Sequence, residues 1–253
     1  MNSELTNDKN QILPTAVKLI QAMTDCISSN GWLKPTLMAM KLSQMIVQGM
    51  WIRDSPLTQL PHFDKNLLER CKKAEITSIG KNQSQNNRTL LSIDDIMDME
   101  DEDRLKLLQL DQEELGRVAF ACGRYPDIEF EATFDATEMT EDDREWVKVS
   151  LNRFNLEENE KLEAVYTEHY PVEKDVEYWW IVAGDAKKNQ VLGIKRVSFE
   201  KQLEVKVPIT GLEPDDYEMT VYLICDSYVG CDQEVRICYF FILIVVFRVI
   251  SSS

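Results

Sequence analysis

The sequence predicts an α+β chain of several modules, helical to about residue 125 and then built of β-strands packed as a sandwich. Up to Phe120 the apolar residues recur at three- and four-residue steps, the repeat of a helix with one buried face. After Pro126 they recur at every second residue, the repeat of a half-buried strand. A capping residue followed three positions later by an acid, at Ser92/Asp95 and at Asp111/Glu114, marks two helix starts in the first part.

From Leu13 the residues Val17, Ile20, Met23 or Thr24, and Ile27 give one buried helical face, and Asn30-Gly31 ends that helix. Pro35 suits the first turn of a second helix, where a missing N–H costs nothing. Leu37, Met38, Leu42, Met45, Ile46 and Met50 then supply an apolar surface too broad for two helices alone, so residues 1–60 read as the last helices of a bundle. Its methionines (Met23, Met38, Met40, Met45, Met50) suit either an adaptable peptide groove or ordinary core left uncovered, and the second reading is preferred. Asp54-Ser55-Pro56 and Leu60-Pro61 break the helix. Over 61–125, Asp64 caps a helix containing Leu67, Leu68 and Cys71, and the later capped segments complete a helix-loop-helix domain closed by Gly123 and Pro126. The acidic run Asp98 to Asp103 lacks the glycine and the ligand spacing of a calcium loop and reads as a solvated face. Within this domain the polar, asparagine-rich stretch at about 80–93 reads as an insertion.

Residues 126–247 carry the alternating segments Ile128 to Phe134, Val147 to Leu151, Leu203 to Val207 and Met219 to Leu223. Among them Gly211-Leu212-Glu213-Pro214-Asp215-Asp216-Tyr217 resembles the corner of immunoglobulin and fibronectin-type-III-like sandwiches, which gives Leu212, Pro214 and Tyr217 structural roles. Trp179 and Trp180 point to opposite faces of a strand, so one fills the core and the other is a candidate partner-binding residue. The final apolar run, Cys238 to Ile250, is shorter than the roughly 20 residues of a membrane span and is expected to leave a sticky last strand.

Acidic residues outnumber basic ones 44 to 28, a formal charge of -16, which opposes non-specific attraction to phosphate. RNA contact is therefore confined to a local patch, for which Arg70, Lys72 and Lys73 are the candidates, against the plainer reading of a solvated helix end. The six cysteines form no C-x-x-C pair and there are two distant histidines, so no metal site is expected and the thiols read as reduced and mostly buried. No phosphate-binding loop, acidic magnesium motif, nucleophile elbow or paired His-Glu motif occurs, so no catalytic residue and no cofactor is assigned.

Several long runs carry a family register: Asn30-Gly31-Trp32-Leu33, Gln48-Gly49-Met50-Trp51-Ile52-Arg53-Asp54-Ser55-Pro56, Arg124-Tyr125-Pro126-Asp127, Trp179 to Lys187 and Cys225 to Glu234. They resemble the Sec-sixty-three-type domain that follows the motor in large double-cassette RNA helicases, and in particular its C-terminal copy in the spliceosomal helicases of the U-five small nuclear ribonucleoprotein. That resemblance implies a fragment without its motor: a non-catalytic scaffold in the nucleus that packs on the motor domains of its own cassette, meets other splicing factors, touches RNA weakly and has no membrane. It also gives Trp51, inside a matched run, a structural role. The alternative is a Sec-sixty-three-type interaction module of the endoplasmic-reticulum translocon.

Overall fold

The structure, a computed structural model, describes residues 3–79, 92–134, 145–157, 160–210, 217–240 and 243–249. Among these residues the helices are α1 (Ser3–Ser29), α2 (Leu33–Gln48), α3 (Lys65–Ile79), α4 (Ile93–Asp98), α5 (Asp101–Leu108) and α6 (Gln112–Arg124), with a 3₁₀ turn at Pro56–Gln59. The strands are β1 (Ile128–Phe134), β2 (Glu145–Arg153), β3 (Trp179–Asp185), β4 (Gln190–Val197), β5 (Gln202–Ile209), β6 (Tyr217–Cys225), β7 (Gln233–Phe240) and β8 (Leu243–Val249).

Helix starts follow the sequence signals where a side chain supplies the cap. Asp64 Oδ1 accepts the Leu67 amide at 2.8 Å, and Ser92/Asp95 and Asp111/Glu114 each form a reciprocal capping box. Ser92 therefore caps α4 and Ile93, buried, opens it, which corrects the expected end of the insertion; residues 80–91 lie outside the described residues. Helix α5 was not foreseen because its N-cap, Glu100, makes no side-chain cap. Asp101, Glu102 and Asp103 fill its first turn instead, where carboxylates suit the helix dipole. Helix α1 begins at Ser3, earlier than Leu13, since Leu5 and Ile12 face solvent and show no buried repeat. Trp32 gives α2 no side-chain cap; Asn189, from the β3–β4 turn, does so from a distance. Its Oδ1 accepts the Lys34 amide at 2.9 Å and its carbonyl accepts the Leu33 amide at 3.1 Å.

Two antiparallel sheets form, ordered β1-β2-β5 and β4-β3-β6-β7-β8. Phe130, Val149, Leu151 and Val207 from the first and Trp179, Ile181, Val221 and Leu223 from the second share one core, which runs on through Tyr125, Cys122 and Val118 to Leu57, Phe63 and Leu67. Helical and β portions thus have a continuous interior. Strand β3 is buried on both faces, which explains its lack of alternation: Trp179 and Ile181 face the shared core, while Trp180 and Val182 face Leu33 and Met40 of α2 in a second core with Ile224. Gly184 lets α2 sit this close, for a Cβ there would lie 2.6 Å from Leu33 Cδ1. The apolar C-terminal run is paired: β8 joins β7 antiparallel, Ile237 opposite Val246, and forms the sheet edge.

Among the buried side chains Arg153 and Glu177 form an ion pair. Glu177 Oε1 also accepts the Trp179 indole N–H at 2.9 Å, and Arg153 Nε donates to the Glu200 carbonyl at 3.1 Å. Removing one partner of such a pair strands a buried charge, so Glu177→Ala is expected to lower unfolding stability by about 3–5 kcal/mol in chemical denaturation. A change below roughly 1 kcal/mol would show that the pair is compensated elsewhere.

Candidate interaction surface

The turn between β6 and β7, residues 226–232, is the point at which helices and sheets are fastened together. Asp226 to Val229 are buried away from water, so their polar groups need partners within the protein. Side chains of α2 supply several. Ser43 Oγ donates to the Asp226 carbonyl at 3.0 Å, Gln44 Nε2 to the Cys225 carbonyl at 2.8 Å, and Gln48 Nε2 to the Ser227 carbonyl at 2.9 Å. Gln59, in the 3₁₀ turn, pairs both ways with Val229: its Nε2 donates to the carbonyl at 2.8 Å and its Oε1 accepts the amide at 3.2 Å. From the end of α6 the Tyr125 hydroxyl donates to the same carbonyl at 3.1 Å. Gly230, at φ +92°, closes the turn; a Cβ there would be 3.0 Å from Pro56 and 3.2 Å from the Tyr125 hydroxyl.

The Asp226 carboxylate, fully buried, accepts from Lys174 Nζ at 2.9 Å, Arg196 Nη2 at 3.1 Å and the Tyr178 amide at 3.1 Å. Two cations against one carboxylate satisfy its charge without water. Asp232 is different. Burial pushes its carboxyl up to about 6, against the opposing pull of Lys41 and the hydrogen bonds from the Cys225 amide and Gln44.

On this fixed frame α1 presents an uncovered apolar stripe. Leu5, Ile12, Leu19 and Met23 lie on one outward face, with Leu19 65% exposed, while Val17, Ile20 and Thr24 are buried on the other. Met38 and Ile52 are also exposed, and Trp51 is 67% exposed. Trp51, to which the resemblance gives a structural role, thus faces solvent, while its neighbour Met50 is buried. The five methionines do not form one groove, since Met40 and Met50 are buried, Met45 is half-buried with its sulfur accepting the Ile52 amide, and only Met23 and Met38 face solvent.

Trp179 and Trp180 are both buried, and the surface of Trp180 sought for a partner is occupied by this chain's own α2. Arg70 donates to the Leu108 carbonyl at the end of α5, and Lys72 and Lys73 are exposed. Leu212 and Pro214 lie outside the described residues; Tyr217 opens β6. The fastening glutamines were missed, although Gln44 and Gln48 stand one helical turn apart on a buried face, a spacing that marks a polar stripe facing protein. Among the described residues no three His, Cys, Asp or Glu side chains are placed to hold a metal ion, and no helix is long and apolar enough to cross a membrane.

Because burial raises Asp232, the folded state favours its protonated form. Its contribution is full below the ordinary value of 3.8 and is lost as pH rises through about 6. Asp232→Asn keeps an oxygen for Gln44 and the Cys225 amide, so it is expected to exceed the parent chain in stability by on the order of 1–3 kcal/mol near pH 8 and to lose that advantage near pH 4. Denaturant melts across that range check it; a pH-independent difference contradicts it.

Comparison with known proteins places this architecture. The model of the Sec63 Brl domain matches residues 1–238. The DExH-box ATP-dependent RNA helicase DExH12 of Arabidopsis thaliana is 41% identical over 236 residues, 92% of this chain. The U5 small nuclear ribonucleoprotein 200 kDa helicases of Drosophila melanogaster and Homo sapiens are 39% and 38% identical over 237 residues, 93% of it. The chain spans 10% of the length of each of these relatives. A match across nearly the whole sequence, through both the helical half and the two sheets, makes the chain a member of the Sec63 Brl domain family.

Proposed function

We propose that this chain is a non-catalytic scaffold and interaction unit of a spliceosomal ATP-dependent RNA helicase, corresponding to the C-terminal copy of its Sec63-type unit. The observation that carries the reading is 38–41% identity along 92–93% of the chain to helicases of which it spans only 10%. A unit of that share belongs beside a motor, and the stripe of Leu5, Ile12 and Leu19 is the kind of desolvatable surface that such a neighbour covers. Its partners on this reading are the motor domains of the same cassette and other splicing factors in the nucleus, with RNA meeting Lys72 and Lys73 weakly. The helicase identities favour this reading over a translocon module.

The finer architecture proposed is the end of a helical bundle (1–60), a helix-loop-helix domain (61–125) and an immunoglobulin-like sandwich (126–247). Strand orders β1-β2-β5 and β4-β3-β6-β7 support the last, as do a buried Trp179 on the third strand and Tyr217 at the start of the sixth.

The purified chain is expected to show no RNA-stimulated ATPase, since the phosphate-binding motifs are missing from its sequence. It is expected to be retained by the motor domains of its cassette, and Ile12→Glu with Leu19→Glu is expected to abolish retention without altering the melting temperature, because both side chains face solvent. Tight binding of single-stranded RNA at physiological salt, with no retention of the motor, would overturn the scaffold reading.

A further inference from the structure

We propose that the groove between α5 and α6 is a docking site for a basic amphipathic helix of a protein partner, separate from the α1 face. The groove encloses about 660 Å³ and is lined by Met97, Leu105 and Leu115 with Gly116, Ala119 and Gly123. Leu105 is more than half exposed, which leaves an apolar side chain at the lip.

Its walls are fixed in advance. The Arg104 guanidinium ties the end of α4 to α5, donating to the Ile96 carbonyl at 2.9 Å and the Met97 carbonyl at 2.7 Å while pairing with Asp101 at 3.0 Å. A site that needs no rearrangement binds at lower entropic cost.

The α6 wall has room for a close neighbour. Gly116 and Gly123 stand two turns apart on the exposed face, with Ala119 between them, and a Cβ added at either glycine meets nothing within 4 Å. Glycine inside a helix is destabilising relative to alanine, so the fold by itself gives no reason for Gly116, whereas Gly123 lies in the last turn of α6. A flat track of small residues beside an apolar trough admits the backbone of another helix.

Charge selects the sign of that helix. Residues 92–124 contain ten acidic and four basic side chains, and each of the four bases is already ion-paired: Arg104 with Asp101, Lys106 with Glu102 and Asp103, Arg117 with Glu113, and Arg124 with Glu163. The segment that builds the groove therefore carries a negative surplus, while the two charged side chains in the lining, Asp101 and Arg104, pair with each other. That surplus complements lysine and arginine on the polar face of an incoming helix and opposes RNA phosphate.

The test uses the 253-residue chain and a fluorescein-labelled peptide of about 18 residues, with leucine at the i, i+3, i+4 and i+7 positions of a helix and lysine elsewhere. Fluorescence anisotropy should show saturable binding that weakens at least about tenfold in Gly116→Trp, which fills the track from open space, and in Leu105→Glu. Ile12→Glu should leave it unchanged, so failure of the α1 reading and failure of this one are separable. A version with glutamate in place of lysine should bind at least about tenfold more weakly. Equal binding of a scrambled Leu/Lys peptide, affinity unaffected by both groove variants, loss in Ile12→Glu, or displacement by single-stranded RNA would each overturn the proposal. Should Gly116→Trp fail to fold, Leu105→Glu on the exposed lip decides alone.

Discussion

The rest of the structure depends on the pairing of one buried turn. Between β6 and β7 the chain must reverse, and it does so beneath α2, the 3₁₀ turn and the end of α6, where water cannot reach its carbonyls. An unpaired buried carbonyl or amide costs roughly 1–3 kcal/mol, so a turn placed there is tolerable only if side chains replace water. Ser43, Gln44, Gln48, Gln59 and Tyr125 do so from three different elements. Each bond contributes modestly by itself. Together they fix the angle between the helical half and the sheets, because none of the three elements can move without exposing the turn's polar groups.

The strongly polar groups in the interior are consumed in holding shape: Arg153 by Glu177, Asp226 by Lys174 and Arg196. Cys122, Cys225 and Cys231 are raised by burial, which keeps these thiols protonated and unreactive. Among the described residues the acidic surface carries apolar regions that include the α1 stripe and the α5–α6 groove. Surfaces of that composition meet protein more readily than nucleic acid.

Much of the architecture was legible because it rests on local rules. Asp64, Ser92 and Asp111 announce their helices through caps that need only neighbouring amides, and β1 and β2 alternate because one face of each is more open to water. Long-range effects were not legible. Strand β3 hides its period by burial on both faces, α5 starts without a side-chain cap, and the cap of α2 comes from Asn189, far away in sequence. The same holds at the surface: only the docking of α2 reveals that Trp180 is covered and that Trp51 is not. Arg70 resembled a free cation until the end of α5 was found against it.

Native-state amide hydrogen exchange tests the central role of the turn most directly. If the turn is the common fastening point, the Val229 amide, bonded to Gln59, exchanges only through global unfolding, at the same free energy as the Trp180 and Ile181 amides of the central strand. Exchange of Val229 through local opening, several kcal/mol below those strand amides, would contradict the account.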